Sequence, residues 1–199
     1  MRIGIFGGSF NPPHRGHMRA AELFCREAGL DRLIIMPAGN PPHKRLSPGS
    51  ADLDRLNMAR IAFRGIPCAE VSDYEIQRRG ESFTVLTLRY LRKSYPDDEL
   101  ILYVGDDMFL MFEKWHSYRE IFRLCRLFVM RRTEGVAGLE EKKAMLEREG
   151  GIITISDAPP EEMSSSSVRS DLHDGKKPEG LDDEVYDYII RNGLYRENE

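Results

Sequence analysis

The sequence has few of the residues that mark disulfide-stabilised or membrane proteins. Only three of its 199 residues are cysteines, and Cys25, Cys68 and Cys125 form no Cys-x-x-Cys pair and no zinc-like spacing with histidine. The odd count predicts reduced, mostly buried thiols in a cytoplasmic protein. No apolar run is long enough to span a bilayer, and a strand pattern begins at the first residues. We therefore expect neither a membrane partner nor a signal peptide.

The chain also lacks the excess of positive charge that general nucleic-acid-binding proteins carry. Lys and Arg number 29 against 33 Asp and Glu, which gives a formal net charge of −4. We therefore expect no nucleic-acid partner, although local basic clusters can still bind a phosphorylated small molecule. A hydrophobic content of 41% and a charged content of 31% are ordinary for a globular protein. The length predicts a single domain over residues 1–199, with a C-terminal helical part from about residue 165.

Short apolar runs alternate with longer amphipathic ones along the chain. Short runs rich in β-branched residues predict strands at 2–6, 32–38, 68–73, 99–105, 126–132 and 151–157. Apolar residues at helical spacing predict helices around 21–28, 53–63, 85–91, 139–151 and 185–189. Gly29 is predicted to end the first of these helices, and Ser50 to cap the second, whose inner face would include Leu53.

This alternation predicts an α/β fold with a doubly wound, mostly parallel sheet flanked by helices, similar to a Rossmann fold. In such sheets the ligand lies at the carboxyl ends of the strands, where the strand order reverses. The residues that follow the strands at Phe6, Met36, Val104 and Ile155 are therefore the candidates for a site.

The first strand is followed by GGSFNPPHRGH over residues 7–17. Gly7 and Gly8 allow the backbone to approach a ligand and expose its N–H groups. His14 and His17 come at the start of the next helix, where an N-terminus favours an anion and the imidazoles would face a phosphate. The alternative is a plain strand–turn–helix connection whose histidines only cap the helix. The string is neither a Walker A nor a GxGxxG motif.

Two further strand ends carry polar residues. Lys44 ends PAGNPPHK (37–44), where a proline-stiffened loop would bring it to phosphates, although a solvated lysine is the common alternative. Asp107 follows Gly105 in a segment that ends near Trp115, the only tryptophan of the sequence. The carboxylate of Asp107 suits a ribose hydroxyl or a helix cap, and Trp115 suits the core or a stacked aromatic ligand.

GGSFNPPHRGH resembles the HxGH motif of the nucleotidylyltransferase superfamily, which binds the phosphates of ATP or CTP. Three further segments resemble those of bacterial nicotinate-nucleotide adenylyltransferases: PAGNPPHK, the G-x-D followed by tryptophan, and SSSSVR (164–169). They occur in the same order as in that family, and the resemblance extends from residue 1 to about residue 172. The resemblance implies adenylyl transfer from ATP to nicotinate mononucleotide in NAD biosynthesis, giving deamido-NAD and pyrophosphate. It further implies that Mg²⁺ arrives bound to ATP and needs no dedicated cluster of carboxylate ligands in the protein. The resemblance is compatible with a homo-oligomer.

The resemblance also assigns roles to residues. The catalytic set is His14, His17, Lys44 and Arg169, with His17 on the α-phosphate and the others on the ATP phosphates. The ATP-binding set is Gly7, Gly8, Ser9, Phe10, Gly105, Asp107, Arg131, Ser165 and Ser166. The substrate-binding set is Ser82, Thr84 and Trp115. Ser82 or Thr84 is expected to cap a helix that takes up the nicotinate carboxylate, and Trp115 to stack on the pyridine ring.

Four positions depart from the family pattern. Ser166 stands for threonine, Met163 for isoleucine, Asp106 adds a charge beside Asp107, and His116 replaces a frequent aromatic residue. The alternatives are an enzyme for nicotinamide mononucleotide, a phosphopantetheine adenylyltransferase, or a nucleotide sensor without turnover. The C-terminal YRENE is predicted to be a frayed tail.

Overall fold

A computed structural model describes residues 1–40, 50–78, 80–131, 135–159 and 163–195. Its centre is a six-stranded sheet in which every described pair of neighbouring strands is parallel. The strands are β1 (Arg2–Gly8), β2 (Arg32–Pro37), β3 (Ala69–Val71), β4 (Glu99–Gly105), β5 (Arg126–Met130) and β6 (Ile153–Ile155). Each lies within or overlaps a predicted strand, and the parallel sheet confirms the predicted fold class.

Helices cover both faces of this sheet. They are α1 (Arg15–Glu27), α2 (Asp52–Phe63), α3 (Tyr74–Arg78), α4 (Thr84–Ser94), α5 (Asp106–Phe109), α6 (Tyr118–Leu124), α7 (Leu139–Arg148), α8 (Ser165–His173) and α9 (Asp183–Arg191), with a 3₁₀ helix at Phe112–Lys114. Helix α1 ends as predicted, because Gly29 adopts a φ of +58° that few other residues reach without strain.

Two apolar clusters, one on each face, explain why the strand sequences are apolar throughout. On one face, Phe6 of β1 and Ile35 of β2 pack in the cluster that contains Phe24 of α1. On the other, Ile5 and Ile34 pack in the cluster that contains Leu88 of α4. Alternate residues of each strand are therefore buried against different helices, as expected for a parallel sheet covered on both sides.

The strand order is β3-β2-β1-β4-β5-β6. From β1 the chain moves outward through β2 to β3, and then returns to pair β4 with the free edge of β1, with Ile3 beside Leu100. The order therefore reverses between β1 and β4, and a crevice opens at their carboxyl ends. This places the residues that follow Gly8 and Gly105 next to each other.

The structure corrects two predictions for α2. The residue that precedes the helix is Ala51, and Ser50 instead donates a hydrogen bond from Oγ to Asn11 Oδ1 at 2.7 Å. Leu53 is 66% exposed, whereas Arg55 is fully buried. The helix buries residues 55, 56, 58, 59, 62 and 63. The predicted stripe is therefore confirmed at Leu56, Ala59 and Phe63 and was wrong at Leu53.

The C-terminal prediction was wrong at Tyr195, which is only 6% exposed and therefore not part of a frayed tail. Residues 196–199 lie outside the described residues. The three cysteines are free, with Cys125 buried and the other two half-buried. No helix in the described ranges is long and apolar enough to cross a membrane.

Candidate active site

A cavity of about 250 Å³ lies at the carboxyl ends of β1, β4 and β5. Its lining brings together residues that the sequence analysis selected from separate segments. These are Gly7, Gly8, Ser9, His14, His17, Gly105, Asp107, Trp115, Arg131, Ser165 and Ser166. The strand-end rule therefore located the cavity, because the β1 and β4 ends are neighbours across the reversal of strand order.

The loop after β1 is shaped by close packing behind the cavity. Phe10 is fully buried, and its ring packs against Phe63 and His17, with centroids 5.3 and 5.1 Å apart and the rings steeply inclined to each other. A Cβ at Gly8 would come within 2.8 Å of the Phe10 ring, so only glycine fits there. Phe10 was expected to contact ATP, but the structure places it beneath the cavity, where it supports His17.

The two histidines of HxGH lie against each other at the start of α1. His14 precedes the helix and His17 is its third residue; their ring centroids are 3.8 Å apart. The backbone N–H of His14 donates to His17 Nδ1 at 3.3 Å. Because Nδ1 accepts, the proton of a neutral His17 ring resides on Nε2. Gly16 makes this packing possible, since a Cβ there would lie 3.1 Å from His14 Nδ1.

Helix α8 brings a second N-terminus to the same cavity. Ser164 caps it by accepting from the N–H of Ser167 at 3.1 Å. Ser165 and Ser166 open the helix, as predicted. Ser165 Oγ donates to the Pro12 carbonyl at 3.0 Å, which docks α8 on the β1–α1 loop. A helix N-terminus with exposed hydroxyls is a favourable place for phosphate oxygens.

Arg169 lies one turn further along α8, behind the cavity lining. Its Nη1 donates to the main-chain oxygen of Asn11 at 2.8 Å, and its Nη2 donates to Ser166 Oγ at 3.2 Å. The first contact attaches the guanidinium to the β1–α1 loop, and the second holds it against Ser166 of the cavity lining. Lys44, the other predicted cation of the phosphate site, lies outside the described residues.

At the end of β4, the two aspartates have different environments. Asp106 is 1% exposed, and its Oδ1 accepts the N–H of Asp107 at 2.8 Å. Asp107 is exposed and lines the cavity. The extra charge expected beside the phosphates is thus turned into the protein at the start of α5, and among the described lining residues only Asp107 contributes a carboxylate.

Trp115 lines the cavity and packs against Phe112, with ring centroids 4.9 Å apart. The next residue, His116, stacks on Phe83 with a centroid separation of 4.4 Å. His116 therefore keeps an aromatic contact at the position where the family pattern has another aromatic residue. This stack joins the tryptophan segment to the start of α4.

Ser82 and Thr84 do not line the cavity, and neither caps α4. Phe83 is the residue before the helix, and the Ser82 hydroxyl accepts the N–H groups of Gly39 and Asn40, each at 3.1 Å. Ser82 is 8% exposed, so its hydroxyl is used to fix the end of β2. The capping prediction was therefore wrong, because a partner distant in sequence takes the side chain.

A buried carboxylate lies beneath this contact. Glu75 of α3 is 7% exposed and accepts a hydrogen bond from Thr87 Oγ1 at 2.6 Å. Burial raises the pKa of Glu75 above its usual value of 4.5, while hydrogen bonds from Thr87 and Ser82 and the charge of Arg78 act in the opposite direction. The loops at the ends of β2 and before α4 are thus built on one polar cluster.

Sequence reasoning missed Arg55. Its Nη1 donates to the Ser9 carbonyl at 2.8 Å, and its Nη2 donates to the Ala38 carbonyl at 2.6 Å and to Asp52 Oδ1 at 2.8 Å. One buried guanidinium therefore connects the loops that follow β1 and β2. An arginine in a helix normally predicts a solvated face, so the sequence held no local signal for this role.

Among the described residues, no group of three or more His, Cys, Asp or Glu side chains is arranged to hold a metal ion. The described part of the cavity wall combines imidazoles, hydroxyls and two helix N-termini with the exposed carboxylate of Asp107. This combination suits a polyanionic ligand that carries a sugar hydroxyl.

Comparison with known proteins gives consistent results over the whole chain. The family model described as cytidylyltransferase-like matches residues 5–171. A protein of Gemmatimonas aurantiaca named probable nicotinate-nucleotide adenylyltransferase is 37% identical over 201 residues, which cover 99% of this chain and 93% of that protein. A Shewanella pealeana protein of the same name is 35% identical over 211 residues, covering 98% and 96%.

A solved structure of similar fold is the nicotinic acid mononucleotide adenylyltransferase of Plasmodium falciparum, complexed with NaAD. It superposes with a TM-score of 0.79 and 17% identity, covering 98% of this chain and 97% of that one. At this identity the likeness establishes the fold.

Proposed function

Because this chain belongs to the cytidylyltransferase-like family, among the nicotinate-nucleotide adenylyltransferases, we propose that it transfers the adenylyl group of ATP to nicotinate mononucleotide. The products are deamido-NAD and pyrophosphate. One observation carries the assignment of the site: HxGH at the start of α1 and SSSSVR at the start of α8 converge on a single cavity. Two helix N-termini with imidazoles between them are suited to a triphosphate.

The reaction needs no side chain as nucleophile. A phosphate monoester has a second pKa of about 6, so the attacking phosphate of the mononucleotide is mostly dianionic at neutral pH. One of its oxygens attacks the α-phosphorus of ATP, and the bond to the bridging oxygen breaks to release pyrophosphate. The protein must hold two anions in line and stabilise the charge that develops on the α-phosphate.

In this proposal His17 donates its Nε2–H to the α-phosphate. The bond from the His14 N–H to Nδ1 supports this role because it orients the ring and keeps the proton on Nε2 before substrates arrive. The fixed donor then stabilises developing charge without reorganisation. His14, Gly7, Gly8 and Ser9 complete the wall around the triphosphate.

The departing β- and γ-phosphates are assigned to the start of α8. Ser165 is proposed to contribute its backbone N–H at the helix start, and Ser166 its hydroxyl. Arg169 supplies a planar guanidinium, and Lys44 is proposed to add a further cation. Mg²⁺ enters as part of the MgATP substrate and neutralises charge on the phosphates. Asp107 is proposed to accept a ribose hydroxyl, with Gly105 and Arg131 beside it on the cavity wall.

The pyridine ring is assigned to Trp115. The stack of His116 on Phe83 supports a substrate carboxylate at the start of α4, close to Ser82 and Thr84. The N–H groups of a helix N-terminus favour a carboxylate, which only accepts hydrogen bonds, over a carboxamide, which also donates. The preferred substrate is therefore the acid rather than the amide.

The test is pyrophosphate release from MgATP with nicotinate mononucleotide, nicotinamide mononucleotide or phosphopantetheine as acceptor. We expect turnover with the nicotinate compound, a product of the mass of deamido-NAD, and a kcat/KM at least about tenfold lower with the amide, as expected for one charge-assisted contact. Equal or greater turnover of either other acceptor overturns the substrate assignment. Nucleotide binding with no pyrophosphate release from any acceptor overturns the enzymatic assignment and identifies a sensor.

A further inference from the structure

The last described residue of the chain is part of a buried polar cluster next to the cavity. The hydroxyl of Tyr195 donates to Asn11 Oδ1 at 2.5 Å and lies 3.2 Å from Ser50 Oγ. Ser50 donates to the same Asn11 oxygen at 2.7 Å. Asn11 is 2% exposed and Tyr195 6%. Three segments far apart in sequence therefore meet at one amide side chain in the β1–α1 loop.

Asn11 also connects this cluster to the phosphate side of the cavity. Its main-chain oxygen accepts from Arg169 Nη1 at 2.8 Å, and the neighbouring Pro12 oxygen accepts from Ser165 at 3.0 Å. The position of the Arg169 guanidinium thus depends on where the Asn11 peptide lies. The Asn11 peptide in turn is held through its side chain by the hydroxyls of Tyr195 and Ser50.

Tyr195 occupies a conformation that needs compensation. Its φ is +59°, in the left-handed region that a residue with a bulky side chain adopts only with backbone strain. Burial raises the pKa of the Tyr195 hydroxyl to about 12, so the group stays protonated and can donate at any pH at which the enzyme would work. Tyr195 thus combines a strained backbone with a buried donor whose acceptor, Asn11, belongs to the β1–α1 loop of the site.

We propose that Tyr195 is a positioning residue for adenylyl transfer, whose hydroxyl fixes Asn11 and thereby holds the guanidinium of Arg169 against Ser166 for the departing phosphates. This inference rests on the proposed function, and specifically on the role of Arg169. It adds the C-terminal segment to the phosphate site.

Helix α9 itself is anchored by other contacts. Tyr188 donates from its hydroxyl to Asp54 Oδ1 at 2.9 Å and accepts from Asn57 Nδ2 at 3.1 Å. These bonds attach α9 to α2 without involving Asn11. Tyr188→Phe is therefore a matched control, because it removes a hydroxyl of the same chemistry from the same C-terminal segment.

The first experiment compares Tyr195→Phe with Tyr188→Phe in two steady-state series. MgATP is varied at saturating nicotinate mononucleotide, and the mononucleotide is varied at saturating MgATP. We expect Tyr195→Phe to lower kcat/KM for ATP about tenfold, the effect of losing one buried hydrogen bond that positions a charged group. The KM for the mononucleotide is expected to stay within about twofold of the parent protein. Tyr188→Phe is expected to change both values by less than about twofold. Equal losses of kcat/KM for ATP in the two variants overturn the proposal, because they indicate a general need to dock the C-terminal segment.

The second experiment tests the route through Arg169 with a double-mutant cycle. If Tyr195 acts through Arg169, Tyr195→Phe causes no further loss of kcat/KM in an Arg169→Ala protein. Full, multiplicative loss in the double variant overturns the proposal while leaving the role of Arg169 intact. Arg169→Ala with unchanged activity overturns the role of Arg169 and this inference with it. If Tyr195→Phe does not fold, Ser50→Ala removes the other hydroxyl on Asn11 Oδ1 and takes its place in the cycle.

Discussion

The residues of the HxGH motif fix the orientation of the His17 ring. Glycine at position 16 lets the His14 ring pack within van der Waals distance of the backbone at Gly16, and the His14 N–H then fixes His17 Nδ1. Phe10 packs against the ring from below. The imidazole is thus oriented by a backbone donor and by buried packing before any substrate binds, which is the arrangement that electrostatic catalysis requires.

His17→Ala is expected to lower kcat by about 10²–10³, the usual effect of removing one preorganised donor from a transition state. KM for both substrates should change by less than about threefold, because the donor acts mainly on charge that develops during the reaction. Steady-state kinetics of pyrophosphate release measure both quantities. The control is His173→Ala, at the exposed end of α8, which should retain full activity. A variant that loses affinity but keeps kcat contradicts the assigned role.

Local patterns predicted which segments come together at the cavity, whereas contacts between residues far apart in the sequence were not predicted. HxGH and SSSSVR each mark the start of a helix, and residues of both motifs line the cavity. The Ser82 hydroxyl, in contrast, is bound by Gly39 and Asn40, more than 40 positions away. Tyr195 and Asn11 are paired across 184 positions. No periodicity encodes such pairs, since they depend on the completed fold.

At the level of elements, strands and helices were predictable because two signals agree along most of the chain: the spacing of apolar residues, and the positions of the glycines, prolines and capping residues that end an element. For α2 the predicted inner face is confirmed at Leu56, Ala59 and Phe63 and was wrong at Leu53, which is exposed, while the charged Arg55 is unexpectedly buried. A buried charge is stable there because carbonyl oxygens at two strand ends accept its hydrogen bonds.

Arg55→Lys is expected to weaken the connection between the loops after β1 and β2. A lysine keeps the charge but cannot donate in the fixed planar geometry that reaches Ser9 and Ala38 together. We expect the free energy of unfolding to fall by about 1–3 kcal/mol, because a buried carbonyl loses its partner. The KM for ATP should rise as the Ser9 loop loosens. Urea unfolding and steady-state kinetics measure these effects.

The control for Arg55 is Arg60→Lys on the same helix. Arg60 is exposed, so this substitution should change the free energy of unfolding by less than about 0.5 kcal/mol. A similar loss of stability in both variants would show that helix propensity, and not the link between the loops, is responsible. Unchanged stability of Arg55→Lys would show that one donor is sufficient at this position.

At the scale of the whole molecule, the sequence indicated a parallel sheet but not the order of its strands. Alternating strands and helices are compatible with several orders, and the contacts that decide among them are between segments such as Arg2–Gly8 and Glu99–Gly105. Relatives that match this chain over 98–99% of its length are consistent with one architecture throughout. The reversal of order beside β1 then determines which of the predicted strand ends form the cavity.

The buried carboxyl group of Glu75 leads to a prediction about how the free energy of unfolding depends on pH. It lies under the ends of β2 and α4, where burial raises its pKa above the usual 4.5 although Thr87, Ser82 and Arg78 oppose the shift. The folded protein therefore binds the Glu75 proton more tightly than the unfolded chain does. As pH rises from about 4.5 through the folded-state pKa, this group contributes progressively less to the free energy of unfolding. Above that pKa the reduced contribution stays constant.

Glu75→Gln removes this titration, so the free energy of unfolding of the variant minus that of the parent protein should increase between pH 4.5 and neutrality and then level off. Urea unfolding of both proteins across this range measures the difference. Glu113→Gln is the control, because Lys142 lowers the pKa of Glu113 below 4.5. The free energy of unfolding of this variant minus that of the parent protein therefore changes only at lower pH and should be constant above about pH 5. A flat or falling difference for Glu75→Gln would mean that Thr87, Ser82 and Arg78 outweigh burial and that the carboxylate is a stabilising anion beneath the site.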